Sequence, residues 1–348
     1  MPLSTPMINK MATRLVLAVM SCVTLQAWGP RGHESANRAA VKSIPDDGPV
    51  FLREFEDWIA KTGPVPDTWR GTSEPYSRIF EDPNHGWFKE QFAFMPAIPR
   101  SRYEFVLRLY DEYLRIKDKD PDRAALTNVR WTGTLPYAAM ENYDRMKSAM
   151  RAYRRAVADQ SGDSQQQARF LAQDIAFYMG WLGHYTADGA QPLHDTIHHD
   201  GWQGPNPKQY TTDARVHGRF ESTFVDLIKL RGSDLVPIME KPRVLDDPFA
   251  AILAHLDDAS THVEEVYILD KAGAFADQTN QPAARLARGQ LAKAAALLRD
   301  LTYTAWLESA KQPVAGDAES NPVSRTNSRY NPETGTAAPG PPVKINGK

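Results

Sequence analysis

Residues 166–185 read QQARFLAQDIAFYMGWLGHY, and most of their large apolar side chains recur every three or four positions. That spacing predicts a long amphipathic helix whose buried stripe contains Phe170, Leu171, Ile175, Tyr178, Trp181 and Leu182. Helical spacing also marks residues near 35–61, 101–116, 138–159, 215–230, 248–272 and 283–310. No convincing alternating strand or Asn-Gly hairpin appears. The sequence therefore predicts an all-α domain.

The composition describes a soluble globular protein with enough apolar residues for a sizeable core. Of its 348 residues, 42% are hydrophobic and 24% are charged, and the formal net charge is only −2. So small a charge argues against a protein that holds nucleic acid mainly through a strong basic field. It is compatible with an enzyme that binds phosphate through metal ions.

The N-terminal residues have the pattern of an export signal. Lys10 and Arg14 precede an apolar run over residues 15–25, and the small Ala27 follows. This pattern predicts a signal peptide over residues 1–27, cleaved after Ala27, and a secreted or periplasmic protein. The run is too short to span a bilayer, so a stable transmembrane anchor is the less favoured alternative.

The single cysteine bears on the same prediction. Cys22 lies inside the predicted signal, so cleavage would leave no disulfide and no thiolate metal site. Lipidation of Cys22 is an alternative, but it would leave Trp28 inside the chain. Residues 28–311 are predicted to form the helical domain. Residues 312–348 are rich in Pro, Gly, Ser, Thr and Asn, which predicts a disordered tail.

The strongest local signal for chemistry is a pair of potential metal ligands one helical turn apart. His184 and Asp188 are separated by four positions, so on a helix they share a face and can bind one cation together. Pro192 ends the helix and lets His194 approach from the next segment. The alternative is that His184 and Asp188 only pair with each other.

A second pair repeats this arrangement downstream. His217 and Glu221 are again four residues apart, and the same metal-free alternative applies to them. Two such pairs on either side of His194 favour a shared metal site. Imidazole nitrogen and carboxylate oxygen, without thiolate, suit zinc in a catalytic site.

Further motifs give the chain a resemblance to a known family. Residues 28–33 read WGPRGH at the predicted cleavage point, and the patterns H-x3-D-x5-H and H-x3-E follow at His184 and His217. This order of motifs, from Trp28 to Glu221, resembles the zinc-dependent phospholipase C / S1-P1 nuclease superfamily. The resemblance implies a multi-helix all-α bundle with a zinc cluster in a cleft. It also implies a mature chain that begins at Trp28, whose α-amine and carbonyl oxygen bind zinc.

Carried over residue by residue, the resemblance implies three zinc ions. The first ion would be held by Asp67, His85, His184 and Asp188. The second would be held by His194, His217 and Glu221. The third would be held by the Trp28 terminus, His33 and the bridging Asp188. The surroundings of Asp67 and His85 match the family only loosely, and Asp82 is the alternative to Asp67.

The resemblance also implies catalytic roles for two residues near the metal ions. Metal-bound water of near-neutral pKa would supply hydroxide, and the cations would neutralise charge on the phosphoryl oxygens. Asp67 could orient or deprotonate that water. Arg70 could direct its guanidinium group at the phosphate, and the alternative for Arg70 is a plain surface position.

This scheme uses five of the nine histidines. His198 and His199 follow His194 in a loop and are expected to rim the site. His255 and His262 lie seven positions apart on a later helix and are expected to be structural. Aromatic residues that could stack a base or line a lipid headgroup pocket are Trp69, Trp87, Phe88, Trp131, Tyr137 and Trp202, most of which are expected in the core.

Two activities within the superfamily remain open. The W-x4-H start, the D-x2-R pair at Asp67 and Arg70, and the long gap between His194 and His217 resemble the nucleases. Glu221, where those nucleases carry aspartate, resembles the phospholipases, and the absence of disulfides departs from the fungal and plant nucleases. The motifs slightly favour a secreted zinc-dependent S1/P1-type nuclease or 3'-nucleotidase, with phospholipase C as the alternative.

The two activities imply different substrates. A nuclease would act on single-stranded nucleic acid or nucleotides, and a phospholipase C on phosphatidylcholine-like headgroups. Neither implies an obligate protein partner. A non-catalytic zinc-binding module is a lesser alternative, because a candidate residue is present at each implied ligand position.

Overall fold

The computed structural model describes residues 28–159, 161–311, 316 and 318–344. The predicted signal peptide over residues 1–27, with Cys22 and the cleavage point after Ala27, lies outside the described residues. Within the described part of the chain, no helix is both long enough and apolar enough to cross a membrane.

Helices dominate the described residues, and the prediction of an all-α domain is confirmed. In chain order the α-helices are α1 (Gly29–Lys42), α2 (Glu56–Thr62), α3 (Val65–Thr68), α4 (Pro75–Glu81), α5 (Arg102–Ile116), α6 (Pro121–Leu126), α7 (Val129–Thr132), α8 (Leu135–Ala158), α9 (Gly162–Asp188), α10 (Val216–Gly218), α11 (Val225–Leu227), α12 (Gly232–Leu235), α13 (Pro248–Ser260), α14 (Val263–Lys271) and α15 (Gln281–Ala310). The 3₁₀ turns are Val50–Phe55, Asp82–His85, Lys89–Phe92, Pro192–Asp195, Val236–Ile238 and Ala274–Ala276. Strands of two residues each are β1 (Ala97–Ile98), β2 (Tyr330–Asn331), β3 (Thr336–Ala337) and β4 (Val343–Lys344).

Helix α9 is the central element, and it contains the stretch from which the fold is predicted. The Ser161 side chain caps its N-terminus by accepting a hydrogen bond from the backbone N–H of Ser164. Helices α8, α15, α1 and α2 pack against α9. The C-terminal end of α9 therefore lies inside the bundle, where it can meet residues from several other segments.

The buried stripe of α9 differs from the predicted one. Phe170 is 53% exposed, and Leu171, Tyr178 and Trp181 are half-buried. Ile175 and Leu182 are buried as predicted, and the other buried positions of the stripe are Ala168, Ala172, Ala176 and Met179. These positions also have helical spacing, but small alanines let the neighbouring helices approach closely and leave the larger side chains at the flanks.

Glycine residues allow α1 and α2 to approach α9. A Cβ atom added at Gly183 would lie 1.9 Å from Oδ1 of Asn37 on α1, and one added at Gly180 would lie 2.6 Å from Cβ of Thr62 on α2. The Asn37 amide donates to the carbonyl oxygens of Ile59 at 2.9 Å and Gly180 at 3.1 Å. This close packing brings side chains of α1 beside those of α9.

A π-helical turn joins α10 and α11 into one helical segment. It covers Arg219–Phe224, and π-turns of this kind are frequent at functional sites. Phe220 and Phe224 both pack on Phe275, with ring centroids 5.1 and 5.6 Å apart. Glu221, which lies between these two residues in the sequence, is also buried.

Residues 318–344 contain strands where the composition predicts disorder. β2 and β3 form an antiparallel pair, and β4 pairs with β1 of the helical domain. The Arg100 side chain donates to the carbonyl oxygen of Pro341 at 2.8 Å. Backbone groups of the tail thus form hydrogen bonds with another part of the chain. Composition alone does not reveal such contacts, which is why it predicts disorder here.

Candidate metal centre

Asp188, at the C-terminal end of α9, lies in a buried group of histidines. His33 on α1 approaches Asp188 Oδ1 with its Nε2 atom at 3.5 Å. His184, one turn earlier on α9, approaches Asp188 Oδ2 with its Nε2 atom at 3.2 Å. The two imidazole rings stack with centroids 4.2 Å apart. One donor atom from each residue lies within 4.8 Å of the others, so this first group could hold a metal ion.

A second donor group adjoins the first and shares His184. His85 ends a 3₁₀ turn, and its Nδ1 atom lies 2.9 Å from Asp188 Oδ2 and 2.9 Å from His184 Nε2. Asp67 on α3 places Oδ1 3.7 Å from the same nitrogen. Asp67, His85 and His184 therefore form a second group that could hold a metal ion.

His194, His217 and Glu221 form a third donor group. His217 Nε2 lies 2.8 Å from Glu221 Oε2, and His194 Nε2 lies 3.6 Å from the same oxygen. His194 Nδ1 contacts the carbonyl oxygen of His85 and lies 3.8 Å from Asp188 Oδ2. His194, in the segment directly after α9, therefore places the third donor group beside the first two.

The chemistry of the three donor groups fits metal binding. Their eight side chains are no more than 8% exposed. Among the described residues, Asp188 Oδ1, His194 Nε2 and Glu221 Oε1 are buried without a hydrogen-bond partner. Buried polar atoms normally have a hydrogen-bond partner. Buried nitrogen and oxygen atoms without one, inside such groups, therefore indicate ligands for a cation. Nitrogen and oxygen donors without sulfur suit zinc.

The same contacts shift the pKa values of the histidines. Burial would lower the pKa of His184, but the charges of Asp188, Asp67 and Glu81 together outweigh burial and raise that pKa to about 9. Burial also opposes the charge of Glu221, which raises the pKa of His217 to about 10. For His33, burial and the charge of His184 lower the pKa. A cation must displace the protons on His184 and His217, so the affinity of the donor groups for a metal ion is expected to rise with pH.

Contacts behind the histidines orient their rings and include a residue that the motifs do not reveal. His184 Nδ1 lies 2.8 Å from the carbonyl oxygen of Gly63. His85 Nε2 lies 3.3 Å from Glu81 Oε1, which also accepts a hydrogen bond from the Tyr185 hydroxyl at 2.7 Å. Such acceptors fix the tautomer of a metal-binding histidine. Glu81 and His85 are four residues apart, so the spacing used for the ligands would have found this pair.

The third donor group has similar support from more distant residues. Asp200 Oδ1 lies 3.4 Å from His217 Nδ1, and the Gln191 amide donates to Glu221 Oε2 at 3.0 Å. Asp200 precedes His217 by more than a dozen residues in a loop. No periodic spacing in the sequence signals this contact.

Replacing Glu81 tests the contact behind His85. Glu81→Gln keeps the shape of the side chain but removes the charge that faces His85, so we expect zinc affinity to fall about 10- to 100-fold. Competition with a chelating dye measures the affinity, and Glu74→Gln, at an exposed position, is the matched control. An unchanged affinity in Glu81→Gln would show that this carboxylate does not support His85.

Arg70 lies between the two aspartates that compete for the role of ligand. Its Nε atom donates to Asp82 Oδ1 at 2.9 Å, and its Nη1 atom lies 3.4 Å from Asp67 Oδ1. Asp67 joins the second donor group, whereas Asp82 belongs to none of the three. Burial raises the pKa of Asp67. The geometry therefore favours Asp67 over Asp82 as a metal ligand.

A pocket opens beside the donor groups. Its wall includes Arg70, Asp82, His85, Phe88, Arg130, Gly133, His194, His199, Asp200 and His217. The Arg70 side chain is only 21% exposed, so its position is not that of a plain surface arginine. Two guanidinium groups beside several imidazoles offer hydrogen-bond donors to an anion such as phosphate.

The loop after His194 contributes aromatic contacts near this pocket. His199 stacks on Phe88 with ring centroids 4.6 Å apart, and His198 stacks on Trp202 at 4.0 Å. Of these, His199 and Phe88 line the pocket. Trp87 and Tyr137, which the sequence also offers as stacking residues, are buried in the core.

His255 and His262 lie outside the three donor groups. His255 Nε2 lies 2.9 Å from the carbonyl oxygen of Thr186, and burial lowers the pKa of His255 to about 4. His262 Nδ1 lies 2.8 Å from Glu265 Oε2 at a partly exposed position. Both histidines are thus held by contacts that involve no donor group.

Trp28 lies immediately before α1 and is fully buried. Its ring packs on Phe220 with centroids 5.2 Å apart, and its carbonyl oxygen accepts a hydrogen bond from the backbone N–H of Gly32 at 3.1 Å. His33 follows five residues later on α1. The Trp28 nitrogen becomes a free amine only if the chain is cleaved after Ala27.

The structure thus brings eight of the nine implied ligand residues into three adjoining donor groups. The ninth residue, Trp28, starts the helix that carries His33. Membership of the zinc-dependent phospholipase C / S1-P1 nuclease superfamily stays a prediction from the motifs. No protein-family model, no curated protein and no solved structure matches the chain.

Proposed function

We propose that the protein is a zinc-dependent phosphodiester hydrolase. The observation that carries this proposal is the set of three adjoining donor groups, joined through His184 and Asp188, beside a pocket whose wall contains arginine. The transfer of a phosphoryl group builds up negative charge, which neighbouring cations and a guanidinium group stabilise. A purely structural zinc site would give no reason for an open pocket at the ligands.

The ligand sets that the resemblance implies draw on the three donor groups and on Trp28, which belongs to none of them. One ion would take Asp67, His85, His184 and Asp188, a second would take His194, His217 and Glu221, and a third would take His33, Asp188 and the Trp28 terminus. When bound, zinc supplies positive charge to the phosphoryl oxygens and lowers the pKa of water.

The residues of the chain would then position and activate the reactants. Arg70 and Arg130 would donate hydrogen bonds to the phosphoryl oxygens of the substrate from the pocket wall. Asp67 would orient the attacking water and accept its proton at a carboxylate oxygen. Burial raises the pKa of Asp67, which makes it a stronger base for that proton.

The substrate separates two versions of this proposal. Arg70 in the pocket wall supports the S1/P1-type nuclease or 3'-nucleotidase that the motifs slightly favour. The exposed apolar face of α4 beside the same pocket supports the second candidate, a phospholipase C. In both versions the chain would act after export and cleavage behind Ala27, in the periplasm or outside the cell.

A side-by-side assay tests the proposal. Zinc-loaded protein that begins at Trp28 is incubated with single-stranded DNA or RNA and with phosphatidylcholine vesicles. Release of nucleotides supports the nuclease version, and release of phosphocholine supports the phospholipase version. His194→Ala is expected to abolish either activity, while His262→Ala, outside the donor groups, should retain it. Zinc binding without turnover of either substrate would favour the non-catalytic module instead.

A further inference from the structure

Helix α4 presents an apolar face to solvent beside the pocket. Tyr76, Ile79 and Phe80 are 85%, 69% and 71% exposed. They occupy positions three and four apart on the helix, so they share one face. Large apolar side chains exposed together mark interaction surfaces more often than isolated ones do.

A groove connects this face with the pocket. Its wall includes Pro75, Ile79, Pro83 and Val129, so its apolar lining comes from aliphatic groups and proline rings. Pro83 also lines the pocket beside the donor groups, together with Arg130, which belongs to both walls. An elongated amphiphile could therefore place a polar head in the pocket and an apolar chain along the groove.

Arginine side chains line both the groove and the pocket beside the apolar face. Asp82 lies 2.9 Å from Arg70, 3.2 Å from Arg78 and 3.9 Å from Arg130. In the groove wall, Arg78 and Arg130 are 43% and 48% exposed, whereas Asp82, which contacts both, is 11% exposed, so the charge that the groove presents to solvent is positive. This charge is complementary to the phosphate groups at the surface of a phospholipid layer.

We propose that the apolar face of α4 docks on a phospholipid surface. Tyr76, Ile79 and Phe80 would enter the boundary between headgroups and acyl chains, while Arg78 and Arg130 would meet phosphates. Tyr76 and Phe80 could also stack nucleobases, but the adjoining groove is lined by aliphatic groups and proline rings, which suit an acyl chain.

The docking face is connected to the donor groups through the end of its own helix. Glu81, the last residue of α4, contacts His85 of the second donor group at 3.3 Å. A surface bound to α4 would therefore lie beside the pocket. The use of this face in catalysis rests on the proposed function, whereas docking itself can be measured without hydrolysis.

The test measures vesicle binding by co-sedimentation with mixed vesicles of phosphatidylcholine and phosphatidylglycerol in equal parts. Phe80→Ser and the double variant Ile79→Ser/Phe80→Ser are compared with the unaltered protein. We expect the double variant to bind at least about tenfold more weakly. Phe170→Ser is the matched control, because Phe170 is 53% exposed on α9 and lies outside the docking face. It should bind as the unaltered protein does.

The outcomes separate docking from catalysis. Equal binding by the double variant, or no binding by the unaltered protein, would overturn the docking proposal. A third result would also overturn the docking proposal: the unaltered protein binds a single-stranded oligonucleotide but no vesicles, and the double variant loses that binding. Hydrolysis of a small water-soluble phosphodiester is measured in parallel, because it needs no surface. Its absence would count against the proposed function and leave the docking result standing.

Discussion

Replacing Asp188 by asparagine is expected to remove bound zinc and nearly all hydrolysis. Asp188 is fully buried and lies within 3.8 Å of His33, His85, His184 and His194. No other described carboxylate contacts four imidazoles of the donor groups, so its charge would be shared between ions. Losing several kcal/mol of transition-state stabilisation corresponds to roughly a thousandfold lower kcat/KM. Elemental analysis gives the zinc content, and initial rates give kcat/KM.

The control for Asp188→Asn is the same change elsewhere on the same helix. Asp174→Asn alters an exposed position of α9, so zinc content and rate should stay as in the unaltered protein. Circular dichroism shows whether both variants keep their helices. Normal zinc content in a folded Asp188→Asn protein would contradict the proposed ligand sets.

One alanine placed before Trp28 is expected to remove one zinc ion and most activity. The resemblance implies that the α-amine of Trp28 is itself a ligand, and an added residue converts that amine into an amide that no longer coordinates. Trp28 is fully buried immediately before the helix that carries His33. We expect roughly a hundredfold loss of activity with zinc lowered by one ion per chain.

The control for the added alanine carries the same residue at the other end of the chain, after Lys348. That protein should keep its zinc and its rate, because β4 pairs with β1 and contributes no residue to the donor groups. Full zinc content and full activity in the protein with alanine before Trp28 would contradict a role for the terminal amine.

Part of the candidate site followed from local spacing. His184 with Asp188, and His217 with Glu221, could be paired because residues four apart on a helix share a face. Joining them to Asp67 and His85 needed the family resemblance, since spacing within one helix carries no information about which distant segments approach it. Glu81 was missed, although its distance of four residues from His85 follows the same rule.

Helical periodicity predicted the long helices α5, α8, α9 and α15, and donor chemistry indicated which side chains can bind a cation, because both are properties of local residues. The predicted segments 35–61 and 248–272 are each divided between two helices in the structure. The packing of the neighbouring helices explains why alanines rather than Phe170 face the core from α9, because these helices set how much room a side chain has. Only the tertiary structure decided that Asp200 stands behind His217 and that the apolar face of α4 opens beside the pocket. Those contacts join segments that no periodic pattern connects, and the packing of the whole chain creates them.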